Sequence, residues 1–500
     1  MKAVKYLVMG AFVLGMSAPM MAQDYMQAIN TVSQALKSDP SGTASAKQVV
    51  KDYMKTFKKD PKAMVALGNA YLAVKNYDQA VACADLAIKK DKNFGDAYVL
   101  KGDVEALKDD GGNAAMWYQQ AMTIDPKNPY GYLRYASVYR KRSPEESERA
   151  MRELRVNVPE YPVDAEMGHN YYEAGDEEKA LESFSKANIN TISESYIAEY
   201  ALAAFATGKY DKGLEVAKKA IQRFPKNEGF IRLAMFNAVE GQNATEGLKY
   251  AEQLINSNVE KRSNDYQYYA RALQEAGRYE DAIKQFEKAF SMDNTTFINL
   301  QKISNVYQLM GNSDKALEYS QMYLDKNPNV SAADYDNLAN IYFNKIKAAK
   351  EEAEEFKNRM DGETDAKAKK AMQEEYNRLI SKVNTEKSTS WPKAMEVYDN
   401  MVAKFPNTQN YSLFQKGHQA FVLELDDEAI SNYTRLLNNL KSKTEPLTDN
   451  EKYYLRAGSK ELGYIYWASK NDLEAAKPYF QTVYDMDPTD SLAKKALGLE

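Results

Sequence analysis

Five hundred residues exceed what one compact core organises, so several domains or a repeat array are the starting choices. A hydrophobic content of 44% excludes a disordered chain, and 66 Lys+Arg spread evenly against 71 Asp+Glu leave no basic stripe for nucleic acid. Long stretches of Ala, Lys, Glu, Gln and Leu with only 15 Pro favour helix throughout.

The chain opens with Lys2 and Lys5, an apolar stretch from Tyr6 to Met16, Pro19, and the small residues Ala18 and Ala22. That order is expected of an export signal over residues 1–22, cut before Gln23. The apolar stretch is shorter than the roughly 20 residues a membrane-spanning helix needs, and no Cys follows it to carry a lipid. The expected compartment is the periplasm or cell envelope of a Gram-negative-type cell, with no membrane span in the mature chain. Residues 23–61 read as a pair of capping helices.

From position 62 the chain repeats itself. Gly68 and Gly102 are 34 residues apart, as are Ala80 and Ala114, Ala87 and Ala121, and Ala282 and Ala316. A fixed period of this length marks stacked supersecondary units. One unit reads Met64-x2-Leu67-Gly68-x2-Tyr71, then Ala80, Ala84 and Ala87; another has Gly168, Tyr171, Ala180, Phe184 and Ala187. Small residues such as Gly68 and Ala80 let two helices cross closely, and larger ones such as Phe184 fill the space beside the crossing. Gly175, Gly208, Gly277 and Gly311 stand where a first helix stops and suit a left-handed residue there.

About eleven units run from Lys62 to Asp490, interrupted once. Ala394 follows Ala316 by 78 residues, about 43 more than one period. Within the excess, Ile346, Ala349, Ala353, Phe356 and Met360 step by three and four, as do Met372, Tyr376, Leu379 and Val383, with a turn at Gly362. Residues 344–390 are therefore expected to form an inserted, coiled-coil-like helical hairpin between repeats at 62–343 and 391–490. A short capping helix closes the chain at 491–500.

The pattern of Gly68, Tyr71, Ala80 and Ala87, recurring through Gly168–Ala187, Tyr266–Ala289 and Leu300–Pro328, resembles the tetratricopeptide repeat over nearly the whole mature chain. The resemblance implies an all-α, right-handed superhelical solenoid whose first helices line a concave groove. It also implies that the residue after each crossing Gly or Ala faces that groove. Those positions include Asn69, Asp103, His169, Arg271, Asn305, Asn340, His418 and Tyr464. The carboxylate clamp of peptide-binding members needs Lys one turn before the Asn. Here Val65 precedes Asn69, Gln301 precedes Asn305 and Asp336 precedes Asn340, so recognition of a peptide C-terminus does not carry over. The polar ladder of Arg271, Asn305 and Asn340 suits an extended peptide backbone and equally suits plain hydration.

Catalysis has poor raw material. Two histidines stand far apart, the one cysteine, Cys83, sits among small apolar neighbours, and no Cys/His cluster or Gly-rich phosphate loop occurs. No catalytic residue, metal site or cofactor is expected. Many of the 37 Tyr fit the repeat core, while Tyr411, Phe414, Phe421, Tyr464 and Trp467 cluster near the end. The expected function is a scaffold that holds a protein or extended peptide in its groove, with the hairpin as a second contact surface. A cell-envelope glycan binder is the alternative.

Overall fold

A computed structural model describes residues 20–39 and 44–499, so the expected export segment lies outside the described residues up to position 19. Among the described residues the chain is helical, with 25 α-helices and no strand. It divides into two compact units, residues 1–259 and 260–500.

In the first unit, α1 (Met20–Ser38) and α2 (Ala44–Phe57) precede six helix pairs. These are α3 (Pro61–Ala73) with α4 (Tyr77–Lys90), α5 (Gly95–Leu107) with α6 (Gly111–Ile124), and α7 (Pro129–Tyr139) with α8 (Pro144–Asn157). Then come α9 (Val163–Ala174) with α10 (Glu177–Lys186), α11 (Glu194–Ala206) with α12 (Tyr210–Arg223), and α13 (Gly229–Glu240) with α14 (Ala244–Ile255). The second unit holds five more pairs. They are α15 (Ser263–Glu275) with α16 (Tyr279–Met292), α17 (Ile298–Leu309) with α18 (Ser313–Lys326), and α19 (Ala332–Asp361) with α20 (Ala366–Lys404). The last two are α21 (Gln409–Val422) with α22 (Asp426–Lys441) and α23 (Asp449–Tyr464) with α24 (Leu473–Met486), after which α25 (Ser491–Leu497) covers the end. The repeats expected from the sequence are all present as helix pairs.

Nine of the eleven pairs close through the same short turn. Gly175, Gly208, Gly277 and Gly311 take φ of 84, 69, 74 and 72°, the left-handed region that glycine enters without a Cβ penalty. In five other repeats Lys75, Asp109, Gln242, Glu424 and Asn471 hold the same conformation. Where the next residue is Asn or Asp it caps the second helix: Asn76 Oδ1 accepts from the Gln79 amide at 3.3 Å, and Asp176 Oδ1 from the Lys179 amide at 3.1 Å.

The first helix of a repeat packs on its own partner and on the first helix of the next repeat, as α3, α5 and α7 do in series. The second helix packs against the following first helix, as α4 does on α5. No single pair can bury its apolar face, so the core is a series of inter-repeat clusters.

The long pair α19/α20 departs from this plan. Its repeat-proximal parts bury Leu338, Phe343, Ile346, Trp391 and Tyr398 in one cluster, with the Phe343 and Trp391 rings 5.7 Å apart. Beyond it, Ala349, Ala353, Leu379 and Val383 bury one another with Phe356 alongside, so the two apolar stripes face each other. Lys382 Nζ reaches Glu352 at 2.6 Å across the arms. Gly362 ends α19, and Asp365 caps α20 by accepting from the Ala368 amide at 2.7 Å. Pro392 lies inside α20, where it removes one backbone donor without ending the helix.

Candidate functional site

The crossing residues set what the first-helix face presents. A Cβ added to Gly168 would stand 2.6 Å from Phe184 Cδ1, and one added to Gly417 would stand 2.7 Å from Tyr433 Cδ1. The second-helix ring thus presses on the glycine, and the next residue on the first helix turns away from that contact.

His169 and His418 occupy this next position and meet the same partner type. His169 Nδ1 lies 2.8 Å from Glu199 Oε2 on α11, and its ring stacks on Tyr196 at 4.8 Å. His418 Nδ1 lies 3.0 Å from Glu461 Oε1 on α23, and its ring stacks on Phe414 at 6.0 Å. Each histidine therefore bridges to the first helix of the following repeat. Asp103 is bridged as well, accepting from Tyr118 Oη at 2.8 Å and Arg134 Nε at 3.0 Å. Burial raises the Asp103 pKa, and the Arg134 charge and the Tyr118 hydrogen bond oppose that rise.

The other expected positions are more open. Asn69 is half-buried, and Asn305 is exposed with Gln308 Nε2 3.4 Å from its Oδ1. Asn340 Nδ2 donates to Asp336 Oδ2 at 3.1 Å. Arg271 is half-buried, with its guanidinium 5.0 Å from the Tyr268 ring. Tyr464 is exposed and meets Phe421 edge-on at 5.9 Å.

Sequence reasoning missed the carboxylates that receive these bridges. Glu166, Glu199 and Glu461 each stand two residues before a small crossing residue, Gly168, Ala201 and Gly463. Glu166 accepts from Tyr161 Oη at 3.1 Å and Tyr196 Oη at 2.8 Å. Glu461 accepts from Tyr433 in addition to His418. A recurrent Glu at this offset was the available signal. Asp336 plays the same part on α19, accepting from Tyr398 Oη at 2.6 Å and hydrogen-bonding with Tyr411. Burial first and the carboxylate second push the Tyr398, Tyr411 and Tyr433 hydroxyls above the usual phenol range, so they stay protonated donors.

Beside Asp103 a cleft of about 200 Å³ opens, lined among others by Arg134, Ser137, Arg140 and Arg142. Arg140 is 8% exposed and pairs with Glu173 at 3.2 Å.

On α21, α22 and α23, Tyr411, Phe414, Tyr433, Tyr453 and Tyr454 form one connected set, while Phe421 pairs with Tyr464. Phe414 touches Tyr454 at 4.8 Å, Tyr453 at 5.6 Å and Tyr433 at 6.3 Å, and Tyr411 meets Tyr454 at 6.4 Å. Trp467 packs edge-on against Phe480 on α24 instead.

Among the described residues no three His, Cys, Asp or Glu are grouped to hold a metal ion, and no helix is long and apolar enough to cross a membrane. Cys83 is buried, and burial pushes its thiol pKa up to about 12, which makes it a core residue rather than a nucleophile.

Stacked helix pairs with glycine-bearing crossings define an all-helical repeat scaffold. Sequence models of the tetratricopeptide repeat match residues 65–129, 266–296 and 461–490. The matched segments are similar to tetratricopeptide repeats, which in general indicate a protein–protein interaction scaffold. A TPR repeat-containing protein of Methanocaldococcus jannaschii is 25% identical over 339 residues, 63% of this chain and 54% of that protein, so the chain spans about half of that relative. The C-terminal part of a TPR repeat-containing protein from Cytophaga hutchinsonii is 17% identical at a TM-score of 0.42, covering 60% of this chain and 98% of that one. A tetratricopeptide repeat protein from Parabacteroides merdae is 17% identical at a TM-score of 0.31, covering 49% and 98%.

Proposed function

We propose that this protein is an exported adaptor of the periplasm or cell envelope that holds an extended segment of a protein partner along the first-helix face of its repeats. The observation that carries this reading is the succession of polar side chains one position past the crossing: Arg271 on α15, Asn305 on α17 and Asn340 on α19. Asn305 is exposed and Asn340 half-buried, and an amide both donates and accepts, as a peptide backbone requires. The hairpin of α19 and α20 supplies a second contact surface, because long ordered insertions are commonly functional. The export signal at residues 1–22 supports the location.

The test is crosslinking with mass spectrometry in the native cell, followed by the triple substitution of Arg271, Asn305 and Asn340 by Ala. The helical signal should stay near that of the parent, while affinity for the crosslinked protein falls. Unchanged affinity removes the proposed groove. A cell-envelope glycan is the competing ligand, favoured by the exposed rings of Tyr453 and Tyr464. An immobilised polysaccharide panel separates the two readings.

A further inference from the structure

Among the described residues, the first-helix face of α19, α21 and α23 carries two carboxylates that pair with no lysine or arginine. Glu461 is held by His418 and Tyr433, and Asp336 by Tyr398, Tyr411 and Asn340. Among the described residues no lysine or arginine lies within ion-pair distance of either. The reason is visible on the same helices, where every basic residue of α21 and α23 is already committed. Lys416 pairs with Asp399, Lys452 with Asp449, Arg456 with Asp487 and Lys460 with Asp490. The hydroxyl, imidazole and amide partners fix the two carboxylates in place.

Aromatic rings fill the space between them. From Asp336 the path runs through Tyr411 to the stacked pair Tyr454 and Phe414, then to His418 and Glu461. Tyr464 stands one helical turn beyond Glu461 and is 42% exposed, and Tyr453 at the other end of α23 is 53% exposed. Neighbouring helix axes lie about 8–10 Å apart, so the two carboxylates are on the order of 20 Å apart, about six residues of extended chain. A fixed carboxylate beside an open ring is the arrangement that attracts a guanidinium, which pairs with the oxygen atoms while its plane lies on the ring. An open ring also accepts a sugar face, but the fixed carboxylate beside it favours a cation. Phe414 is 5% exposed, and Tyr453 and Tyr464 stand edge-on to Phe414 and Phe421.

We infer that this face binds an extended, arginine-bearing segment of a protein partner, with one side chain seated between Glu461 and Tyr464 and a second near Asp336. The inference rests on the protein-scaffold reading and names the chemistry of the segment. The charge count also opposes the clamp chemistry of peptide-binding relatives, because acids occupy the face that would there need lysines.

Fluorescence anisotropy of the full-length protein with a fluorescein-labelled (Arg-Ser)5 peptide tests it, with (Glu-Ser)5 and chitohexaose as competitors. The arginine peptide should bind in the micromolar range, and neither competitor should displace it. Because the whole chain carries a net charge of -5 and attracts basic peptides in general, the decisive readout is site variants. Tyr464→Ala and Glu461→Gln should each weaken binding at least about fivefold, while Glu354→Gln on the hairpin, which removes one charge elsewhere, should leave it within about twofold. Tyr464 is exposed, so its variant keeps the fold even if Glu461→Gln loosens the α21–α23 contact. Equal effects of Glu461→Gln and Glu354→Gln, no effect of Tyr464→Ala, or displacement by (Glu-Ser)5 or chitohexaose would each overturn the inference. If native-cell crosslinking still maps a protein partner to the first-helix face, the scaffold reading survives that failure.

Discussion

Phe184 lies against Gly168 so closely that an added Cβ would meet three atoms of its ring within 2.8 Å. The ring is fully buried and stacks on Tyr200 of the next first helix at 5.6 Å, so it has little room to retreat. Gly168→Ala is expected to cost about 1–3 kcal/mol through overpacking, despite the better helix propensity of alanine. Urea unfolding followed by near-UV circular dichroism reads this. Adding Phe184→Leu should recover part of the loss, and strict additivity of the two substitutions would argue against the contact.

The left-handed turn makes the opposite prediction for Lys75. Its φ of 60° is shared with the turn glycines, yet it carries a side chain. Lys75→Gly is expected to stabilise the first repeat by about 1 kcal/mol, and Gly175→Ala to destabilise its own by a similar amount. Hydrogen exchange of α3 and α4 against α9 and α10 should move in opposite directions in the two variants.

Glu451 closes a capping box at the start of α23. Its Oε2 accepts from the Thr448 amide at 3.0 Å, the Thr448 amide-side hydroxyl caps the Glu451 amide at 3.3 Å, and Lys443 Nζ lies 2.9 Å from both oxygens. The Lys443 hydrogen bond first and the Thr448 amide next hold its carboxyl down at about 2. A depressed folded-state pKa gives stability that is complete above the unfolded value near 4 and is lost as pH falls towards 2. Glu451→Ala should therefore lower the urea midpoint at pH 7, and the gap from the parent should close between pH 4 and 2. A gap of constant size across that range would show that the charge plays no part.

The hairpin should be separable from the repeat that carries it, provided the cut spares Ile346 and Trp391. Both belong to the repeat's buried cluster, so a deletion that begins at Lys345 would take Ile346 out of the core. Replacing residues 350–382 by a four-residue Gly-Ser linker loses the small outer cluster and four ion pairs, Lys350 with Glu354 and with Glu424, Arg378 with Glu375 and Lys382 with Glu352. The shortened chain should stay soluble with its main unfolding transition moved by less than about 1 kcal/mol, since exposed ion pairs contribute little. Aggregation or loss of a cooperative transition would show that the arms support the repeats.

Much of this architecture is legible in residue order. The 34-residue step, the glycines at 175, 208, 277 and 311, and the paired stripes either side of Gly362 each name a local requirement: a close crossing, a left-handed turn, a facing apolar edge. Lys75, Gln242 and Glu424 escaped that reading because nothing in their side chains announces a positive φ. Their conformation is imposed by the two helices they join, at a local cost that the packing of the pair outweighs.

The sequence by itself determined the period, the helix pairs and which residue in each pair must be small, because those follow from spacing and side-chain size along one chain segment. Only the tertiary structure decided which polar groups meet. His169 finds Glu199 after 30 residues and His418 finds Glu461 after 43, since α22 has 16 residues against 10 in α10 and α23 starts further ahead of its Glu than α11 does. A contact between stacked repeats is set by distance through space, which the repeat holds constant while the chain length between the partners varies.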